Sequence, residues 1–534
     1  MGRDLLSFPG KGATEMTKTL MRIAIPVVVL ASVVISAGGC ASRGRALRPT
    51  VNGSTGADPK PNKANAYYIE SKAKASEKPF SCSFVEFDER GDYLNFAQHR
   101  HAYETIRRLG TNGERLLVIM YVHGWKNNSQ SSDVLRFNNF LSQVSEAPFV
   151  RENNFRVHGV FLGWRGNSYK HSLDVKGEAF RHTTEVFEEP IVNRKYSRGW
   201  LLSPIVWPLE QLSYWRRKGA AEEKVSGIPI VRTIFACGHT ARRYGQTNAP
   251  NRVFLLGHSF GALMLEQSFA PATLTALTAE WPWDDPEAIK SAKANPLPID
   301  LTMLVNSAAP SIYAKQFYGY MTAHRDALAG DGVTGADAPL VISLTSTADK
   351  ATRYLHSWGN LLAPLYPSLW RSYDGRDFIL DMPSNAPSVK VPQYYYYRRT
   401  PGHNPLLVNH WITNAPSQAE ANDGRTSFQQ NLDPRRERDL KTRTFTTSET
   451  KNGTNRLSWQ ISTTPPDPSW SEYKGYKPIF LGAKAVRSGY WIMRCPKQII
   501  RNHNDVWNQQ AMDTYAALFR ETEFLRTQPP GRLR

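Results

Sequence analysis

Short runs of apolar residues recur along the chain, and polar residues bound each of them. The run Leu116–Val122 consists almost wholly of strand-forming residues, which is typical of a strand buried on both faces of a parallel sheet. Helix-compatible segments lie between several such runs. The alternation predicts an α/β fold with a mostly parallel central sheet flanked by helices. The other runs are Val157–Leu162, Arg252–Leu256, Leu301–Val305, Leu340–Thr345 and Tyr490–Arg494.

The regular elements begin near residue 84, and one large domain is expected to cover residues 84–534. Phe84–Phe87 predicts a short strand and Phe96–Leu109 predicts a helix. Val506–Arg520 predicts the closing helix of the domain. Three stretches of this domain are too long to be simple connections and are predicted to be insertions. They lie at residues 165–250, 351–392 and 414–478.

The insertions differ in character. The first contains the aromatic and apolar segment Trp200–Trp215. This segment can be a cap helix over the functional site or a helix packed on the core, because the patterning of one sequence does not separate the two. The last insertion is rich in Ser, Thr, Asn, Asp and Arg, so much of it is predicted to be exposed loop.

The first 40 residues have the pattern of an export signal. Lys18 and Arg22 precede the apolar stretch Ile23–Ile35, which is shorter than the ~18 to 20 residues that span a bilayer. Small residues then lead into Cys40 and resemble the lipobox of bacterial lipoproteins, although Ala37 stands where that motif usually has Leu. The resemblance implies that Cys40 is diacylated and becomes the mature N-terminus. The alternative is an ordinary cleaved signal with a coincidental cysteine.

Residues 41–83 are rich in Gly, Pro, Ser, Asn, Lys and Ala and show no sustained apolar period. This composition predicts a flexible tether that holds the domain off the membrane. Met16 lies closer to the export signal than Met1 does and is an alternative start of translation. The protein is therefore expected to be exported and held in the bacterial cell envelope as a membrane-anchored lipoprotein.

Composition and charge narrow the possible partners. The chain is 41% hydrophobic and 21% charged, which is typical of a globular protein, and its net charge of +19 favours anionic surfaces. The basic residues are scattered, and no zinc-finger spacing or RNA-binding aromatic motif accompanies them, so nucleic acid is not an expected partner. Besides Cys40, the cysteines are Cys82, Cys237 and Cys495, which have no metal-ligand spacing. Neither a metal site nor a disulfide framework is predicted. A single bridge in an oxidising periplasm stays open, since the sequence does not choose a pair, and so does the oligomeric state.

One pentapeptide suggests a nucleophile. The predicted strand Arg252–Leu256 runs directly into Gly257-His-Ser259-Phe-Gly261, and a helix-forming segment follows. A nucleophile elbow holds its serine on a strained turn between a strand and a helix, and the residues two before and two after must be small. Gly257 and Gly261 meet this requirement. Ser259 is therefore the predicted nucleophile.

A serine hydroxyl needs a base and an acid that orients the base, and in this type of site they follow the serine in the order acid, histidine. Asp349 lies just beyond the predicted strand Leu340–Thr345, at the edge where open α/β sheets carry functional groups. His503 lies in a late loop before the last helix, from which it can reach back to the serine. Asp349 and His503 are the predicted acid and base. His403 and His410 remain alternative bases.

An acyl-transfer site also needs hydrogen-bond donors for the developing oxyanion. The backbone N–H of Phe260, which follows the nucleophile, is one candidate. The second is the N–H of Trp125, in the turn His123-Gly124-Trp125 after the strand Leu116–Val122. Gly124 allows the chain to bend there, and His123 is expected to brace the turn rather than to titrate.

These motifs together resemble those of the α/β-hydrolase superfamily, especially its poorly characterised bacterial esterase-like and lipase-like branch. The similarity spans about residues 84–525, whereas the insertions match nothing in that branch. It implies a triad of Ser259, Asp349 and His503 without metal or organic cofactor. The segments that carry the resemblance are Leu117–Trp125, Gly257–Gly261, Phe84–Asp88, Gly163–Gly166 and His503–Trp507.

The sequence therefore predicts a serine hydrolase that acts on a carboxylic ester, with a small-molecule or lipid ester as substrate. Two alternatives stay open at this point. One is an acyltransferase that uses the same triad, with an alcohol in place of water. The other is an envelope lipoprotein without catalytic activity that retains the fold as a binding scaffold.

Overall fold

The architecture is that of a computed structural model, and all residues that it describes fall within one compact unit of residues 45–167 and 217–534. The described residues are 46–48, 66–70, 80–125, 127–129, 131–165, 217–245, 250–269, 298–323, 338–356, 377–380, 389–414, 444–448, 456–463 and 489–527.

Eleven strands among these residues form one mixed sheet in the order β1-β2-β4-β3-β5-β6-β7-β13-β10-β12-β11. The eight strands from β2 to β10 in this order run parallel to their neighbours. Antiparallel β1 closes one edge, and antiparallel β12 and β11 close the other. The strands are β1 Tyr68–Glu70, β2 Ser81–Phe87, β3 Arg115–Val122, β4 Phe155–Trp164, β5 Arg252–His258, β6 Leu301–Val305, β7 Val341–Ser346, β10 His410–Asn414, β11 Thr444–Ser448, β12 Arg456–Ser462 and β13 Tyr490–Cys495. A separate antiparallel pair consists of β8 Asp377–Leu380 and β9 Val389–Pro392.

Helices connect the parallel strands and cover the sheet. The longest, α8, packs Tyr515, Leu518 and Phe519 into the same apolar core as the central strands. In α1, the side chain of Asn95 caps the first turn by accepting from the N–H of Ala97 at 3.0 Å. The helices are α1 Phe96–Thr111, α2 Ser132–Glu146, α3 Pro148–Glu152, α4 Ile228–Arg243, α5 Phe260–Met264, α6 Ser311–Ala323, α7 Gln393–Tyr397 and α8 Gln509–Thr527. Among the described residues, three five-residue π-helical turns lie at Ala221–Val225, Leu265–Phe269 and Ala351–Leu355.

The central strands confirm the α/β class predicted from the apolar runs. All eight residues of β3 except the first are buried, because parallel β4 and β5 flank it and helices cover both faces of the sheet. Each of the six predicted runs is a strand, with bounds that differ from the prediction by at most two residues. The fold thus places the carboxyl ends of β3, β5, β6, β7 and β13 along one edge.

The prediction that 414–478 is largely exposed loop is wrong in part. Thr444–Ser448 and Arg456–Ser462 are strands of the main sheet and pair with each other and with β10. Trp459 and Ile461 of β12 are buried on the core side of this edge. The polar residues that alternate with apolar ones in β12 give the segment a composition similar to that of a loop.

The prediction of a tether over residues 41–83 also needs correction. The backbone N–H groups of Leu47 and Arg48 donate to the buried carboxylate of Glu86, at 3.1 and 3.0 Å. The guanidinium of Arg48 donates to the carbonyls of Ser129 and Ala66 and lies 3.8 Å from the ring centre of Phe84. Residues 46–48 and 66–70 are therefore part of the folded domain, because Glu86 and the edge of β2 offer partners that the local sequence does not reveal.

Several predictions fall on residues outside those that the structure describes. These include the export signal, the start at Met16, the lipid site at Cys40 and the aromatic segment Trp200–Trp215. Within the described part of the chain, no helix combines the length and the apolar character that crossing a membrane requires. The described cysteines Cys82, Cys237 and Cys495 are all buried free thiols.

Candidate active site

Ser259 lies on a sharp turn between β5 and α5. Its φ of 55° and ψ of −114° place it in a region that non-glycine residues rarely adopt. Its N–H donates to the carbonyl of Val305 at 3.0 Å, and its carbonyl accepts from the N–H of Leu263 at 3.0 Å. Hydrogen bonds from a neighbouring strand and from the helix therefore hold the strained turn on both sides.

The two glycines of the pentapeptide are required by space. A Cβ on Gly261 would lie 2.1 Å from the carbonyl oxygen of Val122, and a Cβ on Gly257 would lie 2.9 Å from the Cα of Ala262. Both neighbours are backbone atoms, which cannot move aside without shifting α5 from the sheet. The close approach of α5 to the end of β3 explains why Gly261 is small, and its close approach to β5 explains why Gly257 is small.

The structure brings Ser259, His503 and Asp349 together in one hydrogen-bonded row. His503 Nε2 lies 2.8 Å from Ser259 Oγ, and His503 Nδ1 lies 3.1 Å from each carboxylate oxygen of Asp349. Because a carboxylate only accepts, Nδ1 carries the proton. Nε2 is then left to accept the proton of the Ser259 hydroxyl, which is the arrangement that activates a serine.

The carboxylate of Asp349 is fully buried and multiply hydrogen-bonded. Besides His503, the backbone N–H of Thr352 donates to it at 3.1 Å, and the Thr352 hydroxyl donates as well. Burial raises the pKa of a carboxyl group, but the electrostatic interaction and hydrogen bonds with His503 outweigh burial and lower the pKa of Asp349 to about 2. Asp349 is therefore ionised at neutral pH and can stabilise an imidazolium at His503.

The loop that carries His503 is attached to the core at several points. Residues 496–508 connect β13 to α8. The hydroxyl of Ser346 donates to the carbonyl of Ile500 at 2.6 Å, and Nε1 of Trp507 donates to the carboxylate of Asp133 at 2.8 Å. Asp133 is itself buried, so water does not compete for its hydrogen bond with Trp507. These bonds on both sides of His503 restrict where its ring can lie.

The turn after β3 lies directly against Ser259. A Cβ on Gly124 would come within 3.0 Å of both His258 Nδ1 and Ser259 Cβ, so glycine is needed for this approach. The ring centres of Trp125 and Phe260 are 6.3 Å apart. The two residues that were predicted to supply oxyanion donors are therefore neighbours beside Ser259. That their N–H groups bind an oxyanion stays a prediction.

His123 has the contacts of a bracing residue. It is fully buried, and its Nε2 accepts the backbone N–H of Trp164 at 3.0 Å. Nδ1 therefore carries the proton and donates to the carbonyl of Gly124 at 2.8 Å. Burial lowers the pKa of His123, so the ring stays neutral and fixes the turn.

The two alternative bases have other surroundings, and His403 lies near Asp349 rather than in the row with Ser259. His410 is in β10, where its ring stacks on Trp491 at a centroid distance of 4.4 Å and its Nδ1 lies 2.8 Å from Asn409 Oδ1. His403 lies in a short turn beside β7, and burial lowers its pKa to about 4. Within the described residues, His503 is the histidine hydrogen-bonded to Ser259. The geometry favours it as the base.

Two residues near the site were not predicted. His258 Nε2 lies 2.9 Å from the backbone oxygen of His503, and Asn306 Nδ2 lies 3.1 Å from the same oxygen. The sequence signal that could have found them is their position. His258 ends β5 and Asn306 directly follows β6, on the edge of the sheet where functional groups gather.

Comparison of the chain with protein-family models, with curated proteins and with solved structures found no match in any of the three. The function is therefore argued from the geometry of the site alone.

Proposed function

We propose that the protein is a serine hydrolase that cleaves a carboxylic ester through an acyl-enzyme intermediate. The observation that carries the proposal is the row of Ser259, His503 and Asp349, with contacts of 2.8 and 3.1 Å. A buried ionised acid, an oriented imidazole and a hydroxyl on a strained turn are what nucleophilic acyl transfer needs. A binding scaffold has no requirement for this combination.

In the proposed reaction, Ser259 Oγ attacks the ester carbonyl while His503 Nε2 takes the hydroxyl proton. The backbone N–H groups of Phe260 and Trp125 bind the oxyanion of the tetrahedral intermediate. Collapse of the intermediate breaks the ester bond, and the leaving alcohol takes the proton from His503. Water then attacks the acyl-enzyme with His503 again as base, which releases the acid and restores Ser259.

As part of the same proposal, we assign the fold to the α/β-hydrolase type. Three observations support this assignment. The sheet is mostly parallel, Ser259 lies on a strand–turn–helix junction, and the three residues follow in the chain order serine, acid, histidine. The mechanism needs no metal or organic cofactor, because side chains supply the nucleophile, base and acid, and backbone N–H groups supply the oxyanion donors.

The proposal also includes export and lipid anchoring at Cys40, supported by the sequence pattern that precedes this residue. A membrane-anchored enzyme with this site fits a small-molecule or lipid ester as substrate. Metabolic labelling with an alkyne fatty acid tests the anchor. Label that depends on Cys40 is expected, and label retained in Cys40→Ser would refute it.

A panel of p-nitrophenyl esters of increasing acyl length tests the catalytic proposal. Ser259→Ala and His503→Ala are expected to lower kcat by at least about 10⁴-fold. Asp349→Asn is expected to lower it by about 10⁴-fold, because an amide facing Nδ1 favours the wrong tautomer of His503. His410→Ala is the matched control and should retain turnover if it folds.

The outcomes of the panel separate the alternatives. Serine-dependent turnover in which an added alcohol captures most of the acyl group would favour an acyltransferase. Wild-type protein without serine-dependent turnover on any ester would contradict the hydrolase. If His503→Ala is active while His403→Ala or His410→Ala is not, the base is misassigned.

A further inference from the structure

The backbone carbonyl of His503 is held as firmly as its ring. Two side chains point their donors at this one oxygen, His258 Nε2 from 2.9 Å and Asn306 Nδ2 from 3.1 Å. A carbonyl oxygen has two lone pairs, so two donors satisfy it fully. The ring of the same residue is bound to Ser259 and Asp349. His503 is thus restrained at both ends.

We infer that His258 and Asn306 are positioning residues of the hydrolase, which set the place of the His503 ring by clamping its backbone carbonyl. The inference rests on the proposed function, since it gives the clamp a catalytic consequence. We refer to His258 Nε2, Asn306 Nδ2 and the His503 carbonyl as the carbonyl clamp.

The protonation of His258 follows from its partners. A carbonyl oxygen only accepts, so Nε2 carries the proton and Nδ1 does not. Nδ1 is buried, has no hydrogen-bond partner among the described residues and faces the turn at Gly124. Burial, followed by the nearby charge of His503, lowers the pKa of His258 to about 4, so the ring is a neutral donor in the physiological range.

Asn306 ties the clamp to the sheet. It is fully buried, and its φ of 46° is tolerated by asparagine better than by most other residues. Its backbone N–H donates to the carbonyl of Leu344 at 2.9 Å, and its Oδ1 accepts from the N–H of Ser346 at 3.0 Å. Ser346 in turn donates to the carbonyl of Ile500 in the His503 loop. Asn306 therefore fixes the position of the His503 carbonyl relative to the ends of β6 and β7.

The position of the carbonyl matters because the ring must meet two partners at once. A displacement of about 1 Å in a catalytic group can cost on the order of 100-fold in rate. Loss of one clamp donor is expected to lower kcat about 10- to 100-fold by this mechanism. KM should change less than about twofold, because the two clamp donors bond to the backbone carbonyl of His503.

The first test is Asn306→Asp, which keeps the shape and the acceptor for Ser346 but removes the donor to His503. Asn409→Asp is a matched control. Asn409 is also fully buried, its Nδ2 donates to the carbonyl of Tyr490 at 3.1 Å and its Oδ1 accepts from Ile492 N–H at 2.8 Å. Each variant loses a side-chain amide that donates to a backbone carbonyl, but only the amide of Asn306 donates to His503.

The second test compares His258→Phe with His258→Gln. Phenylalanine fills the space of the ring without a donor, whereas the terminal amide of glutamine can donate from near the position of Nε2. The phenylalanine variant should lose kcat as Asn306→Asp does, and the glutamine variant should recover a measurable part of it. Rescue by a donor would not follow if His258 served only to fill volume.

The readouts are kcat and KM on a p-nitrophenyl ester, the second-order rate of fluorophosphonate labelling at Ser259, and the thermal midpoint of each variant. Slower labelling in folded Asn306→Asp and His258→Phe, with normal labelling in folded Asn409→Asp, supports the clamp. Labelling of both clamp variants at the wild-type rate overturns it while leaving the proposed function intact. If Asn306→Asp and His258→Phe do not fold, His258→Gln that is at least about tenfold more active than the shorter His258→Asn would support the clamp. Equal activity of His258→Gln and His258→Asn would overturn it. Wild-type protein that does not label overturns the proposed function itself.

Discussion

Glu266 is a buried carboxyl group in the helical segment that follows Ser259, and its removal should change how stability depends on pH. It lies in the π-helical turn after α5. Its two oxygens accept from the hydroxyls of Tyr490 and Ser307, both at 2.7 Å. Burial raises the pKa of Glu266 from 4.5 to about 7 despite these hydrogen bonds, which act in the opposite direction. Glu266→Gln replaces a titrating group by a neutral one of the same shape.

The direction in which the free energy of unfolding changes with pH follows from proton binding to Glu266. Between pH 4.5 and 7 the folded state holds a proton on Glu266 that the unfolded state has lost, so unfolding becomes easier as the pH rises. The pKa of Glu266 is about 2.5 higher in the folded state, which corresponds to about 3 kcal/mol in the free energy of unfolding at 1.36 kcal/mol per pH unit. The contribution is complete below pH 4.5 and is lost as the pH passes through the folded pKa of about 7. The wild type should therefore lose about 3 kcal/mol from this site by pH 8.

Urea unfolding of wild type and Glu266→Gln between pH 5 and 8 measures this effect, and the difference between the two proteins removes the contributions of other groups. The variant should be more stable than the wild type by no more than about 1 kcal/mol at pH 5 and by about 3 kcal/mol at pH 8. Tyr490→Phe removes a hydrogen bond that favours the carboxylate, so it should move the loss of stability to higher pH. A constant difference between wild type and Glu266→Gln across the range would refute the reasoning.

Two further predictions concern packing. Gly261→Ala places a Cβ 2.1 Å from the carbonyl oxygen of Val122, so we expect little folded protein, whereas Gly219→Ala meets no atom within 4 Å and should leave the thermal midpoint unchanged or slightly raised. Equal midpoints would contradict the steric account. Arg48→Ala removes a buried side chain with two carbonyl partners and should cost about 1–3 kcal/mol in urea unfolding, against about 0.5 or less for exposed Arg90→Ala. If Arg48→Ala lowers the free energy of unfolding by no more than Arg90→Ala does, residues 46–48 belong to the predicted tether instead of the folded domain.

The parts of the fold that were predicted from sequence are those whose signal is local. Continuous apolar runs mark strands such as β3 because both faces of a parallel strand are buried. Strands β11 and β12 lie near the antiparallel edge and carry alternating polar residues, so their composition resembles that of a loop. β12 also pairs with β10, which lies more than forty residues away along the chain, where no local pattern records it.

The site divides in the same way. Ser259 could be predicted because its turn imposes small residues at fixed spacing, and Asp349 because it follows a strand. The roles of His258 and Asn306 could not, since both act on a backbone oxygen, and a backbone oxygen has no identity in the sequence. The same holds for Arg48, whose partners are two carbonyl groups and the ring of Phe84.

The most direct test of the central claim is to map the adduct that a fluorophosphonate probe forms with the purified protein. Intact mass and peptide sequencing should find one adduct, on Ser259. Labelling should be absent in Ser259→Ala and greatly slowed in His503→Ala and Asp349→Asn, each first tested by urea unfolding to establish that it is folded. No adduct on the folded wild type, or an adduct that persists in Ser259→Ala, would contradict the account.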